Sequence, residues 1–191
     1  MSKDPIASTT ARPTARDLAA ADAHPEPPSV DDPRLDTWRA FLYAQSALMP
    51  RLDADLRKAA GLTLAEFDAL AQLGLAPQQR LRMSDLAERV LLSRSGVTRL
   101  VDRLEHNGDV RRESSAPDGR GAYAVLTKKG ADRVRTAMLD HLAAVDAHFL
   151  DHIDPSEMTP LLQALGRVAQ ANGRPLPSSA ASATAMRRIT E

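Results

Sequence analysis

The sequence predicts a mainly α-helical protein with one small β-hairpin near the middle of the chain and long helices on either side of it. Between residues 84 and 108, two short amphipathic segments are separated by only a few residues, which is typical of a helix-turn-helix. Directly afterwards, between residues 109 and 127, two extended segments enclose a turn that contains Gly and Pro, which is typical of a hairpin. This order predicts a winged helix-turn-helix core at about residues 63–127, with long helices at both ends.

The second helix of this pair follows Ser93, a residue type suited to the N-cap position, and Asn107-Gly108 supplies a left-handed stop. Apolar residues recur along it with helical spacing and form one stripe: Val97, Leu100, Val101 and Leu104. The first helix is predicted to begin at Ser84. Its apolar side consists of Leu86, Ala87, Val90 and Leu91.

The opposite face of the second helix is polar and basic. It carries Arg94, Ser95, Thr98, Arg99, Asp102 and Arg103. A helix that is held by one face and presents arginines and short hydroxyls near its N-terminus suits insertion into a DNA major groove. An ordinary amphipathic surface helix is the alternative for this segment taken alone.

The wing strands are predicted at residues 109–113 and 122–126. The turn between them contains Pro117, Gly119 and Gly121. Arg120 lies at its tip, between two glycines that allow the backbone to approach a partner closely. A short strand at 81–83 leads into the first helix and adds a third strand to this sheet as a further hypothesis.

These motifs resemble the winged helix-turn-helix of the MarR family of bacterial transcription regulators. The family's wing signature is present as Asp118, Arg120, Gly121, Leu126 and Thr127, and the run at residues 94–105 matches the family's recognition helix. The resemblance covers about residues 35–173. It implies a repressor that binds double-stranded DNA as a homodimer on a pseudo-palindromic operator and is released by a small aromatic or anionic effector.

Each polar residue of this region then has an expected role. The candidates for base contacts are Arg94, Ser95, Thr98 and Arg99, whereas phosphates are expected to meet Arg103 and the helix N-termini at Ser84 and Ser93. Asp102 is expected either to orient Arg99 or Arg103 by an ion pair or to be solvated. Arg120 is expected in the minor groove, and the resemblance implies that Asp118 braces Arg120 or the wing backbone.

The flanking helices have clear boundaries in the sequence. A first helix is predicted at 34–60 with a kink at Pro50, and Thr63 with Glu66 forms a capping box for the next helix. Thr127 caps a long helix whose apolar register extends to Ile153, and a last helix begins at residues 154–157 and ends near 173. Residues 1–33 are predicted to be a disordered arm and 174–191 a flexible tail, because neither can bury enough apolar surface.

Composition limits the class of protein. The 25 basic and 25 acidic side chains balance, but residues 80–135 carry 13 basic against 8 acidic ones, so positive charge is concentrated in the predicted DNA-binding core. Cysteine is absent, which excludes disulfides and thiolate metal sites within the chain. No catalytic motif, cofactor motif, leader or membrane span is recognisable, so we expect a cytoplasmic protein that is not an enzyme.

The apolar faces of the first helix and of the last two helices exceed what the small winged core can cover, which predicts a homodimer. A monomeric bundle is the alternative. An effector pocket is a further hypothesis, with Trp38, Phe41, Phe67 and Met83 as its lining, and a plain core role is the alternative for each of them. Two other functions remain open: a winged-helix protein-interaction module without specific DNA binding, and a metal-responsive regulator that uses His148 and His152 at i,i+4 on one helix face.

Overall fold

The structure, a computed structural model, describes residues 27–90, 92–114 and 121–177, together with Thr184, Arg187 and Ile189. The elements in chain order are α1 (Arg34–Ala60), α2 (Leu64–Leu75), β1 (Arg80–Arg82), α3 (Met83–Arg89), α4 (Arg94–His106), β2 (Val110–Ser114), β3 (Ala122–Leu126), α5 (Lys128–His148) and α6 (Pro155–Ala171). The chain divides into two compact units, Met1–Leu42 and Tyr43–Glu191, and α1 begins in the first and continues into the second. The predicted architecture, a helical protein with a small wing sheet and helices at both ends, is confirmed.

Helix α1 begins after a turn in which the Asp32 carboxylate accepts a hydrogen bond of 2.9 Å from the Arg34 N–H. The helix is unbroken through Pro50, where the sequence predicts a kink, and it ends at Gly61, whose φ is 62°. Its buried residues are Leu52 and Leu56, near its C-terminal end. Of the predicted N-terminal arm, residues 1–26 lie outside the described residues.

Helix α2 begins with the capping box that the sequence predicts. The Thr63 hydroxyl accepts from the Glu66 N–H at 3.1 Å, and the Glu66 carboxylate accepts from the Thr63 N–H at 2.9 Å. A short 3₁₀ turn, Pro77–Gln79, then leads into β1. Gln78 and Gln79 have φ values of 56° and 53° in this turn, a left-handed conformation that non-glycine residues seldom adopt.

The three strands form an antiparallel sheet in the order β1-β3-β2. The hypothesis of a third strand is confirmed, with its bounds one residue earlier than predicted. Strand β3 lies in the centre, where Leu81 of β1 and Arg112 of β2 both pair with Ala124. One side of this sheet packs against the helices, because Leu81, Ala124, Val110 and Leu126 are buried.

Helix α5 begins at the predicted cap, where the Thr127 hydroxyl accepts from the Gly130 N–H at 3.1 Å. It ends at His148, so the predicted helical register that continues to Ile153 is wrong beyond this residue. Phe149 has non-helical angles and the chain forms a 3₁₀ turn at Leu150–His152. Helix α6 then begins with the predicted capping box of Asp154 and Glu157.

The core lies within the second unit, among α2, α3, α4, α5, the sheet and the C-terminal end of α1. The large apolar side chains that are almost fully enclosed are Leu56, Leu62, Leu70, Leu73, Leu86, Leu100 and Leu104. Ile189, within the predicted flexible tail, is 7% exposed and belongs to the same core, and its side chain lies near Gly74. Among the helices that the structure describes, none combines the length and the apolar composition that crossing a membrane requires.

Gly130 lies in the first turn of α5, where the helix packs closely against Asp109 and Leu126. A Cβ at position 130 would collide with the carbonyl oxygen of Asp109 and lie 2.9 Å from Leu126 Cδ1. Because a backbone atom cannot move aside cheaply, we expect Gly130→Ala to lower the free energy of unfolding by about 2–3 kcal/mol, measured by urea denaturation.

Gly166→Ala in α6 is the matched control, since its Cβ would only reach ordinary contact with Leu176 Cδ1 at 3.4 Å. It should leave stability unchanged or raise it by about 0.5–1 kcal/mol through helix propensity. Equal effects of the two substitutions would contradict the close approach of α5 to Asp109.

Candidate nucleic-acid interface

Helix α4 is the central element of the candidate interface. The Ser93 hydroxyl caps it by accepting from the Gly96 N–H at 3.1 Å, as the sequence predicts. The predicted apolar stripe is buried throughout, with Val97, Leu100, Val101 and Leu104 at most 2% exposed. One face of α4 therefore fixes the helix to the core, and the opposite face is presented to solvent.

The predicted base-reading residues Arg94, Ser95, Thr98 and Arg99 lie on that exposed face. The Thr98 hydroxyl donates to the Arg94 carbonyl at 2.8 Å, and the Arg99 Nε–H donates to the Ser95 carbonyl at 3.4 Å. Neither Arg94 nor Arg99 forms an ion pair with a residue that the structure describes. Both arginines lie in the N-terminal half of α4, and neither has a carboxylate partner among the described residues.

Arg103, for which the sequence predicts a phosphate contact, has a protein partner. Its Nε lies 3.0 Å from Glu66 Oε1, and its Nη1–H donates to the Arg99 carbonyl at 3.3 Å. Burial by itself would raise the pKa of Glu66, but the hydrogen bonds from Thr63 and Arg103 outweigh it and hold that pKa below its usual value. The Arg103 side chain is still 55% exposed, so it connects α4 to α2 and also borders the open face.

Asp102 pairs with a different residue from those that the sequence suggests. Its Oδ1 lies 2.6 Å from Nη2 of Arg112 in β2, and not beside Arg99 or Arg103. Arg112 also contacts the Glu105 carboxylate at 2.9 Å and donates to the Thr98 carbonyl at 3.3 Å. One guanidinium therefore joins the wing sheet to three positions of α4 and fixes the angle between them.

Ser84 and the two residues of the wing tip complete the set of predicted DNA contacts. Ser84 does not cap a helix, because α3 begins one residue earlier and Ser84 Oγ donates to Asp85 Oδ1 at 2.9 Å. Asp118 and Arg120, the predicted residues of the wing tip, lie in the segment 115–120 outside the described residues. Their proposed roles therefore stay predictions.

The geometry assumed for a metal site is wrong. His148 is the last residue of α5 whereas His152 lies in the following 3₁₀ turn, so the two do not share a helix face. His148 Nε2 instead lies 2.8 Å from Asp55 Oδ2. No group of three or more metal-ligating side chains occurs within the part of the chain that the structure describes.

The four candidates for an effector pocket lie in different surroundings. Trp38 and Phe41 stack on each other in the first unit with ring centroids 6.0 Å apart, and both are exposed. In the second unit Phe67 is buried with its ring 4.6 Å from that of His141, and Met83 packs against the core. Phe67 and Met83 therefore have the core role that the sequence leaves open for them.

The seam between α2 and α5 contains two desolvated ionisable groups. Burial raises the pKa of the Asp68 carboxyl, against the smaller opposing effects of Gln72, Arg174 and His141. Burial also lowers the pKa of the His141 imidazole, against the attraction of Asp68. His141 Nδ1 is buried and has no hydrogen-bond partner among the residues that the structure describes. The sequence gives no local signal for this pair, because the two residues lie 73 positions apart.

A buried ion pair at the base of the wing is also missed by sequence reasoning. Asp109 is 0% exposed and its Oδ2 pairs with Nη1 of Arg133 in α5. The Arg133 Nη2 donates to the carbonyls of Ala60 at 3.1 Å and Gly61 at 2.8 Å. A single side chain thereby connects α5, the beginning of the wing and the end of α1.

Comparison with known proteins gives consistent relatives. The model of the MarR family matches residues 60–121. The crystal structure of Sco3205, a MarR family transcriptional regulator from Streptomyces coelicolor in complex with DNA, superposes with a TM-score of 0.71 at 32% identity over 78% of this chain and 92% of that one. AbsC, a MarR family transcriptional regulator from the same organism, gives 0.69 at 34% identity over 76% of this chain and 97% of its own. The HTH-type transcriptional regulator YkoM of Bacillus subtilis is 32% identical over 128 residues, 67% of this chain and 80% of its own.

The α2–α5 seam makes stability depend on pH. The pKa of His141 is lower in the folded chain than in the unfolded one, so the unfolded chain takes up the proton first as pH falls. The urea midpoint should therefore fall between pH 7.5 and 5.5, and His141→Leu should reduce that fall. Asp68→Asn should deepen it, because it removes a carboxylate that favours the protonated imidazole.

The exposed His106 of α4 offers the matched control, since His106→Leu removes an imidazole at the surface. This variant should keep the wild-type dependence of the urea midpoint on pH. The same reduction in both variants would show that the α2–α5 seam is not the source.

Proposed function

The chain belongs to the MarR family of DNA-binding transcriptional regulators, and on this premise we propose that it is a homodimeric repressor of a pseudo-palindromic operator. The observation that carries the proposal is the exposed face of α4. There Arg94 and Arg99 lack a carboxylate partner among the described residues, while the opposite face is anchored in the core.

In this proposal the N-terminal half of α4 enters the major groove. Arg94 and Arg99 contact base edges, and an arginine that binds guanine O6 and N7 contributes about 1–3 kcal/mol of discrimination. Ser95 and Thr98 supply short hydroxyls beside them. Glu66 already binds the Arg103 guanidinium, so Arg103 contacts DNA only at the edge of the surface that α4 presents.

The proposal of a homodimer is supported by apolar surface that the second unit leaves exposed. Helices α5 and α6 and the turn between them carry exposed Leu139, Leu142, Leu150, Leu162, Leu165 and Val168. Apolar patches of this kind mark interaction sites, and a second copy of the chain is the occupant that gives two α4 helices related by a two-fold axis. The half-sites are then about one helical turn, roughly 34 Å, apart.

In this proposal the bound dimer represses by covering promoter DNA that polymerase needs, and the protein acts in the cytoplasm, where that DNA lies. We propose that a small aromatic or anionic molecule relieves repression. This step rests on the resemblance to the MarR family. Of the predicted pocket residues, Phe67 is buried and Met83 packs against the core. Release of a labelled operator fragment by simple aromatic carboxylates tests this step.

Recognition by α4 can be tested on duplexes that the purified protein selects from a random library. Arg94→Ala and Arg99→Ala should each weaken binding to the selected duplex about tenfold or more, with a smaller loss on random duplex, because a base contact is removed. Arg51→Ala, an exposed arginine of α1, is the control and should keep wild-type affinity.

Two results would oppose this role. Selection of no sequence by the wild type would favour the winged-helix interaction module instead. Full affinity in both α4 variants would remove this helix from recognition.

Dimerisation is tested separately. Leu165→Glu should convert the protein to a monomer in light-scattering chromatography and reduce operator affinity by about a hundredfold or more, because a charge cannot be buried unpaired in an apolar interface. Gln170→Glu, on another side of α6, should leave the mass of a dimer. A wild-type protein that elutes as a monomer at micromolar concentration would refute the homodimer.

A further inference from the structure

The segment that follows α6 places one residue in the winged core. We call residues 174–191 the C-terminal tail. Of its described residues, Thr184 and Arg187 are exposed, whereas Ile189 is 7% exposed and belongs to the same core cluster as the leucines of α2 and α4. The sequence predicts a flexible tail because most of its residues are small or polar. A buried isoleucine is the feature that this prediction does not explain.

The site that receives Ile189 lies between the C-terminal end of α2 and the end of β3. A Cβ on Gly74 of α2 would lie 3.5 Å from Ile189 Cγ1 and 3.8 Å from Leu126 Cδ2 of β3. Leu126 is itself buried. We call this site, defined by Gly74 and Leu126, the α2–β3 slot. One aliphatic side chain of the C-terminal tail therefore fills it.

Gly74 leaves the α2–β3 slot open to a side chain from a distant part of the sequence. The residue lies inside α2 and its φ is not positive, so the backbone there does not require glycine. Glycine destabilises a helix relative to alanine. An alanine Cβ would make ordinary contact with Ile189, but a longer side chain at position 74 would extend into the volume that Ile189 occupies. The missing side chain of Gly74 thus provides space for one from the C-terminal tail.

The beginning of the C-terminal tail contacts α3 and α6. Arg174 Nη2 donates a hydrogen bond of 3.2 Å to the carbonyl of Arg89, the last residue of α3. The last carbonyls of a helix lack partners within the helix, and a cation beside them also interacts favourably with the helix dipole. Leu176 packs on α6, where a Cβ on Gly166 would lie 3.4 Å from Leu176 Cδ1. The tail is therefore attached to the helices at its beginning as well as to the core through Ile189.

We propose that the α2–β3 slot is a docking site for the chain's own C-terminal tail, and that the docked tail is a strap that holds α2, α3 and β3 together. The tail of the same chain is the occupant, because Ile189 lies in the slot in the structure of a single chain. Full burial of an isoleucine side chain changes an equilibrium by roughly tenfold or more, so the docking is stable and still reversible. The inference does not rest on DNA binding, since the contacts that support it lie within one chain.

Disulfide trapping tests the docking directly, because the chain contains no cysteine of its own. In Gly74→Cys/Ile189→Cys the two thiols should be within reach of each other, since a disulfide needs Cβ atoms about 3.5–4.5 Å apart. Under mild oxidation most of the protein should form an intramolecular disulfide, seen as the loss of free thiols at the mass of one chain on a non-reducing gel. Gly74→Cys/Thr184→Cys, with one thiol on an exposed residue of the tail, is the control and should cross-link roughly tenfold more slowly.

The cross-linked product identifies the occupant of the slot. A disulfide-linked dimer in place of the intramolecular product would show that the slot takes the tail of a second copy. Cross-linking no faster than in the Thr184 control would show that position 189 does not dock. Either result overturns the proposal. In denaturing urea the difference between the two double variants should disappear, because it depends on the folded chain.

Hydrogen–deuterium exchange tests the strap without a cross-link. Ile189→Asp should raise the exchange rates at the C-terminal end of α2 and in β3 about tenfold or more, because a carboxylate cannot enter an apolar slot without a partner. Thr184→Asp adds the same charge to an exposed residue of the tail and should keep the wild-type rates. Unchanged rates in Ile189→Asp, or equal changes in both variants, would show that the tail does not hold these elements.

Variants of Gly74 give the same test with the tail sequence intact, and they replace Ile189→Asp should that variant not fold. Gly74→Leu fills the slot from α2, so Ile189 should be displaced and trypsin should cleave after Arg187 roughly tenfold faster than in the wild type. Gly74→Ala adds only a Cβ at ordinary contact distance and should keep the wild-type rate of cleavage. Equal rates in the two variants would contradict the docking of Ile189 in the α2–β3 slot.

Discussion

The buried ion pair of Asp109 and Arg133 is the constraint on which the arrangement of the winged unit depends. A carboxylate with no exposed surface requires a partner, and removal of one member of such a pair costs about 3–5 kcal/mol. Arg133 meets this requirement from α5 and at the same time donates to the carbonyls that end α1. Close approach at Gly130 and the hydrogen bond of 3.1 Å from the Thr127 N–H to the Asp109 carbonyl strengthen the same junction. Arg133 therefore links α5 and the C-terminal end of α1 to the residue that precedes the first hairpin strand.

A second set of charges determines which arginines are available to a ligand. Arg103 is held by Glu66, and Arg112 by Asp102 and Glu105, so these two guanidinium groups orient α4 relative to α2 and to the wing. Arg94 and Arg99 have no such partner among the described residues. The exposed face of α4 thus combines a fixed orientation with free positive charge, which is what a groove-reading helix requires. If Arg94 and Arg99 were also paired with carboxylates, α4 would have no arginine available to bind a ligand.

The buried core and the exposed apolar surface of the second unit lie in different parts of it. The winged unit has its own core of leucines and valines, whereas much of the apolar surface of α5 and α6 is left exposed. A helix whose apolar residues are exposed gains little from intramolecular burial, and it therefore favours association with another surface. The desolvated Asp68 and His141 lie between α2 and α5, at the point where the winged core meets a helix of the proposed interface.

Several features were predictable from the order of the residues alone, because they depend on neighbours within about one helical turn. The capping residues Thr63, Ser93, Thr127 and Asp154, the stripe of α4 and the two hairpin strands were all predicted, because caps and periodicity need only local spacing. Contacts between distant residues were not predictable in this way, and Asp102 with Arg112, Glu66 with Arg103 and His148 with Asp55 are examples. The assignment of His148 and His152 to one face failed because the end of α5 is set by a backbone change at Phe149, which no residue type signals. Which of the described charges form ion pairs became clear from the folded chain, since an ion pair depends on the distance between two side chains in space and not on their separation along the chain.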